Sequence, residues 1–312
     1  MVQGIALHIG INHVDNNGYG VQVPPLFACE NDAIALKQIT DNNGFKSTLL
    51  LSPEATTINI ISHIKESAKQ LKSGDTFLLS YSGHGSQIKD NNGDEEDEKD
   101  EFFVTYDKPL FDDELHFLFP LFAENVRVII IADCCHSGTI TRSVKGQSTK
   151  GKVQRLNRNL SSEISQDIFA DKRKFNQLKN RLAKLTNNQK EIKAGIISLS
   201  ACNDKQLAAE GKNYGAFTES LLKLVTKNQK PKKGEKPKRL TPSYLINETK
   251  LLLKGKNQTP QLNKHGIIPR SFLLQDVFQL TDYKGIKFPK APKRPTPSQT
   301  AGSATRFSNS SI

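Results

Sequence analysis

The chain has 312 residues, 36% hydrophobic and 24% charged, a globular composition that excludes a disordered protein and bounds it at one large or two small domains. No apolar run reaches the roughly 18 residues that a membrane-spanning helix needs, and the opening MVQGIALHIGINHVD has no basic leader and meets His8 and Asn12 too soon for a signal peptide. Of four cysteines (Cys29, Cys134, Cys135, Cys202) two are adjacent, a poor geometry for a disulfide framework, so a reducing, cytoplasmic setting is expected.

The net charge of +12 is unevenly spread. Residues 1–141 carry 9 basic and 21 acidic side chains, whereas residues 142–193 carry 14 basic and 4 acidic. Residues 227–256 add 10 basic and 2 acidic, and residues 281–312 add 6 and 1. The basic excess thus falls in segments with the character of linkers and tails. A nucleic-acid binder would stripe it over folded elements, so no specific nucleic-acid partner is expected.

In chain order, Ile5–Ile11, Thr48–Leu51, Thr76–Tyr81, Val126–Ala132 and Ile196–Ala201 are short apolar runs bounded by polar or turn residues, the pattern of buried strands. Between and after them, Asn31–Thr40, Ile58–Leu71, Asp113–Phe122, Phe217–Val225 and Tyr244–Leu253 carry apolar residues at helical spacing. The alternation predicts an α/β fold, a mostly parallel sheet with helices on both faces, whose ligands bind at the carboxyl ends of the strands. Residues 142–193 read as a basic, polar insertion with an exposed helix around Lys172–Leu185. Residues 228–241 form a second basic loop, and the tail from about Tyr283 is rich in Pro, Ser, Thr and Lys, with no core-forming periodicity.

Two strand ends carry chemistry. TFLLSY runs into Ser82-Gly83-His84-Gly85-Ser86, and VRVIII runs into Asp133-Cys134-Cys135-His136-Ser137-Gly138. A cysteine nucleophile needs thiolate character and a nearby proton acceptor, and strand ends that share one cleft supply both. The glycines let backbone approach a substrate, and the Gly85 N–H is a candidate oxyanion donor. Alone, His84 would be an ordinary loop histidine and Cys135 a small buried hydrophobe; the joint pattern favours catalysis. A zinc site of His84, Cys134, Cys135 and His136 is disfavoured, because three consecutive ligands cannot readily surround one tetrahedral ion.

Together, Ser82-Gly83-His84-Gly85-Ser86-Gln87 and Asp133-Cys134-Cys135-His136-Ser137-Gly138 resemble the two signature motifs of metacaspases, in the caspase-like clan of cysteine peptidases. Cys29-Glu30-Asn31-Asp32, Asp112-Asp113-Glu114-Leu115, Leu199-Ser200-Ala201-Cys202, Ala216-Phe217-Thr218 and Gln258-Thr259-Pro260-Gln261-Leu262 fit in the same order, over roughly residues 3–280. The resemblance implies a caspase-like fold: a peptidase domain at 1–280, made of a large-subunit-like part (1–141), the basic insertion (142–193) and a small-subunit-like part (194–280), followed by a flexible tail (281–312). It implies Cys135 as nucleophile and His84 as base, with an oxyanion hole from the N–H groups of Gly85 and Cys135 and no third residue orienting the histidine. It also implies cleavage of protein or peptide substrates after Arg or Lys, in a pocket formed by Asp32 and Asp133 with Ser82 and Cys29 beside them. A carboxylate-lined pocket suits a cationic side chain. A monomer without membrane attachment is expected. The alternative class is a non-catalytic caspase-like binding module, which would have no need of both His84 and Cys135.

The dyad requires no cofactor, and calcium is the one the resemblance brings in. The family's ligands would map to Asp100, Asp112 and Asp113 and to position 142, where this chain has Arg142. A cation there leaves that site weakened, displaced or absent. Residues 90–101 hold eight carboxylates, a density that repels itself unless cations bind or the loop stays solvated. Asp90, Asn92, Asp94 and Glu101 mimic EF-hand spacing, but Glu95 stands where that loop needs Gly. The 14 basic residues of 142–193 invite three readings that the sequence leaves open: self-cleavage, a pseudosubstrate side chain resting in the acidic pocket, or a solvated tether.

Overall fold

The computed structural model describes residues 2–89, 99–134, 158–170, 180, 191–203, 206, 208–231, 233–256 and 258–280. The five apolar runs form five parallel strands: β1 (Gly4–Gly10), β2 (Lys46–Leu51), β3 (Thr76–Ser82), β7 (Arg127–Asp133) and β8 (Gly195–Ser200). An antiparallel edge strand, β9 (Gln261–Gly266), completes the order β2-β1-β3-β7-β8-β9.

Strand side chains alternate between faces, and the core divides accordingly. Leu7, Ile9, Phe77, Leu79, Tyr81, Val128 and Ile130 pack with Ile60 and Ile64 of α3 (Thr57–Gln70) and Leu115 of α4 (Asp112–Leu118). Ala6, Leu78, Ile129, Ile131, Ile197 and Leu199 pack with Leu36 and Ile39 of α2 (Cys29–Asn42), Phe217 and Leu221 of α6 (Ala216–Gln229) and Leu245 of α7 (Pro242–Leu252). Each central strand thus buries both faces, which explains the continuous apolar runs.

The helix starts follow local chemistry. The hydroxyls of Thr56 and Thr241 accept from the N–H groups of Asn59 and Tyr244 and cap α3 and α7. α2 begins hard against the end of β1. A Cβ at Gly10 would lie 2.6 Å from the Cys29 carbonyl oxygen, so this position requires glycine. The expected helix through Phe122 ends earlier: α4 stops at Leu118 and a 3₁₀ turn carrying Pro120 follows, since proline cannot sustain the α-helical bonding pattern.

A second, antiparallel sheet of β4 (Gly85–Lys89), β5 (Lys99–Val104) and β6 (Pro109–Phe111) continues from the β3 end. Against β4 lies α5 (Ser162–Ile168), capped by Ser161. Part of the basic insertion is therefore packed structure: Arg158, Leu160 and Ser165 are buried. Of the expected helix around Lys172–Leu185 only residue 180 is described, and the tail 281–312 lies outside the described residues. Among the described residues no helix is long and apolar enough to cross a membrane.

Candidate active site

Parallel register sets the site. Ser82 at the end of β3 is level with Gly10 of β1 on one side and Asp133 of β7 on the other. Asp32, in the first turn of α2, faces the same point, because Gly10 lets the helix in. The Ser82 hydroxyl donates to Asp32 Oδ2 at 2.7 Å. Cys29 is fully buried beside them, and burial pushes its thiol up, out of the reactive range. The four residues that the sequence assigned to a substrate pocket thus come together.

A side chain that sequence reasoning did not single out fills this pocket. Arg158, from the basic insertion, is fully buried with its guanidinium among these groups. Its Nη2 donates to Asp32 Oδ2 at 2.6 Å, and its Nη1 donates to the Ser82 hydroxyl and the Asp133 carbonyl, both at 2.8 Å. Nη1 is 3.1 Å from Asp133 Oδ1, and Nη2 is 3.9 Å from Glu210 Oε1. Burial pushes the Asp32 carboxyl up to about 7 against the pull of Arg158, and the neighbouring Asp133 adds to the rise. Burial works against the Arg158 charge, but the carboxylates around it win and hold it firmly protonated.

The pocket walls are tied to the rest of the fold. The Gly215 N–H donates to Asp32 Oδ1 at 2.9 Å, and a Cβ there would lie 2.3 Å from Asp133 Oδ2 and 2.6 Å from Arg158 Nη1. Only glycine lets the backbone enter so crowded a space. Glu210 Oε1 accepts from the N–H groups of Phe27 and Ala28, and Asn12 Oδ1 from those of Cys29 and Glu30, which satisfies the start of α2.

His84 follows the end of β3 after Gly83. Its carbonyl accepts from the Val104 N–H at 3.0 Å and from the Tyr81 hydroxyl at 2.6 Å, and the Tyr81 ring stacks on Phe103 at 3.9 Å. The backbone at His84 is thereby fixed to β5. Its Nε2 lies 2.8 Å from the Pro24 carbonyl. A carbonyl only accepts, so Nε2 carries the hydrogen and Nδ1 of the neutral ring presents a lone pair. Nδ1 is buried and has no hydrogen-bond partner among the described residues. Burial lowers the imidazole to about 4; the Pro24 bond opposes this and Arg158 adds to it. The sequence shows no third residue that must orient the histidine; the hydrogen-bond partner of its Nε2 is a main-chain carbonyl, which side-chain patterns do not reveal.

Cys135, the expected nucleophile, lies outside the described residues, as do His136, Arg142 and residues 90–98. Of the expected calcium ligands, Asp112 and Asp113 are buried in the first turn of α4, where the helix dipole already favours carboxylates. Asp100 lies on β5, and its side chain is outside the described set. Among the described residues no group of three His, Cys, Asp or Glu side chains is placed to hold a metal ion. Asp112 and Asp113 are hard carboxylates, of the kind that suits calcium.

A parallel sheet whose β3 and β7 ends present a histidine and an aspartate-lined pocket, with an antiparallel strand beyond β8, defines the class: the chain belongs to the caspase-domain family of C14 peptidases, whose family match covers residues 3–270. Within that family it is metacaspase-like. It is 28% identical over 299 residues to Metacaspase-1 of Saccharomyces cerevisiae strain S288c, covering 83% of this chain. It is 26% identical over 308 residues to Metacaspase-2 of Trypanosoma brucei brucei, covering 89% of this chain and 76% of that protein. The match spans only 65% of the yeast protein's length. A crystal structure of a Geobacter sulfurreducens protein is similar at 32% identity and a TM-score of 0.72, covering 90% of this chain and all of that one.

Proposed function

We propose that the chain is a cysteine endopeptidase that hydrolyses peptide bonds after Arg or Lys. The observation that carries this reading is the enclosure of the Arg158 guanidinium by Asp32, Asp133 and Ser82 at the carboxyl ends of the strands. A cavity that satisfies one buried arginine has the charge and donor–acceptor pattern to select another. Cys135 attacks the scissile carbonyl, with its proton passing to His84 Nδ1. The Gly85 N–H stabilises the oxyanion, His84 returns the proton to the leaving amine, and water hydrolyses the thioester. The hydrogen bond from Nε2 to Pro24 holds the ring in the tautomer that this step needs. Membership of the caspase-domain family supports the reading, as does burial, which keeps His84 a neutral base near pH 7.

Self-processing within residues 142–193 belongs to the same proposal, since the basic residues of that insertion are of the kind this pocket would select. Calcium has a subordinate place. With Arg142 at the fourth ligand position, any calcium effect requires millimolar concentration or acts through residues 90–101. The test is hydrolysis of reporter peptides ending in Arg, Lys or Asp, with Cys135→Ala as control. Turnover of the Arg and Lys peptides alone supports the proposal; turnover of the Asp peptide alone refutes it.

A further inference from the structure

We infer that Arg158–Asn159 is this protein's own scissile bond, seated in the site as a substrate would be, so that the uncut chain occupies its own pocket. The inference rests on the peptidase reading above and identifies the bond. Three contacts of one residue carry it. The side chain of Arg158 ends on Asp32, Ser82 and Asp133. Its carbonyl oxygen accepts from the N–H of Gly85 at 3.0 Å, the expected oxyanion donor. Its own N–H donates to the Ala208 carbonyl at 3.1 Å. A purely structural arginine needs only the first. Backbone held on both sides, with the carbonyl on the oxyanion donor, is how a peptidase grips the residue before the cut.

The chain beyond the bond is also held. Asn159 forms a bridge with Gly85, Leu160 is buried, and Ser165 meets Ser86 at 2.5 Å between hydroxyl oxygens. Phe169 packs on Phe102 and Phe111. Cleavage forms a bond from the Cys135 sulfur to the Arg158 carbonyl carbon and breaks the bond to the Asn159 nitrogen, which takes the proton from His84. Water then releases Arg158 as a carboxylate and restores the thiol. The new amino terminus at Asn159 stays docked through α5, while the segment ending in Arg158 is free to leave the pocket.

The test has two arms. Intact-mass measurement of the incubated wild-type chain is expected to show fragments 1–158 and 159–312, both absent from Cys135→Ala. A first cut after any other basic residue of 142–193 overturns the assignment. The second arm needs no catalysis: a fluorescent peptide ending in arginine amide is titrated into Cys135→Ala and into Cys135→Ala/Arg158→Ala. The double variant is expected to bind at least tenfold tighter, and Cys135→Ala/Arg158→Lys, which keeps a cation in the pocket, as weakly as Cys135→Ala alone. Equal affinity in the single and double variants overturns the self-occupied pocket. An Arg158→Ala chain that binds the peptide but hydrolyses none sinks the peptidase reading, and the cut with it; the two failures are therefore distinct.

Discussion

Asp133, the last residue of β7, accepts both the N–H of Thr218 at 2.9 Å and its hydroxyl at 2.7 Å, joining the strand before the basic insertion to the first turn of the helix after it. β8, also beyond the insertion, lies between β7 and β9. The two halves of the chain therefore share one sheet and one pocket. A chain cut in the insertion is expected to remain a single particle by size-exclusion chromatography and to separate only in denaturant. Fragments that part in native buffer would contradict this.

The pocket carboxylates give a graded expectation. Asp32→Ala or Asp133→Ala removes one of the two carboxylates nearest the bound cation, both buried. Each is expected to lower kcat/KM toward Arg peptides roughly a hundredfold, or about 3 kcal/mol. Steady-state kinetics on folded variants measures this; an unchanged kcat/KM would remove that residue from the pocket.

The two adjacent cysteines are expected to differ in role. Cys134 is fully buried in the core, with its carbonyl accepting from the Cys202 thiol at 3.5 Å. Cys134→Ala should keep most activity at a stability cost of about 1 kcal/mol. Cys135→Ala and His84→Ala should lose activity with their thermal unfolding little changed. Equal loss from both cysteine changes would mean that the strand-end loop is misassigned.

Two buried histidines set an acid limit. Burial lowers His8, between Ser80 and Thr40, to about 3, and His84 to about 4. Their ordinary value is 6.5. The unfolded chain therefore binds protons that the folded one refuses, and stability falls as pH drops from about 6.5 toward 4. Between pH 7 and 5 each contributes a loss of about 2 kcal/mol. Denaturant titrations should show this loss, with roughly half of it removed in His84→Gln. A His84→Gln profile with the wild-type slope would place the titration elsewhere.

Calcium has its own outcome. Isothermal titration is expected to show no micromolar binding, because under the proposed reading Arg142 stands at the sequence position where the family resemblance implies a carboxylate. Micromolar affinity lost in Asp112→Ala would contradict that expectation.

The central strands were legible because they are buried on both faces; that Asp32 and Cys29, in the first turn of α2, meet Ser82 and Asp133 at two strand ends could be expected only from the family resemblance. Other parts were not legible. β4 reads Gly-Ser-Gln-Ile-Lys and β9 Gln-Leu-Asn-Lys-His-Gly, polar segments without an apolar run. They are strands because a neighbouring strand supplies backbone partners, which local periodicity does not encode. The Pro24 carbonyl is main chain and invisible to any residue pattern. Arg158 is one of 14 basic residues in its segment, and charge counting treats them alike. Its one local mark is Leu160 before the Ser161 cap, a short apolar and capping signal inside a basic stretch.

Hydrolysis of a free arginine-ended reporter peptide by the wild-type chain, beside lysine- and aspartate-ended peptides and a Cys135→Ala control, tests the central claim most directly. The account predicts release of the reporter from the Arg and Lys peptides, none from the Asp peptide, and none from Cys135→Ala. Release from the Asp peptide alone, or equal release by Cys135→Ala, would contradict it.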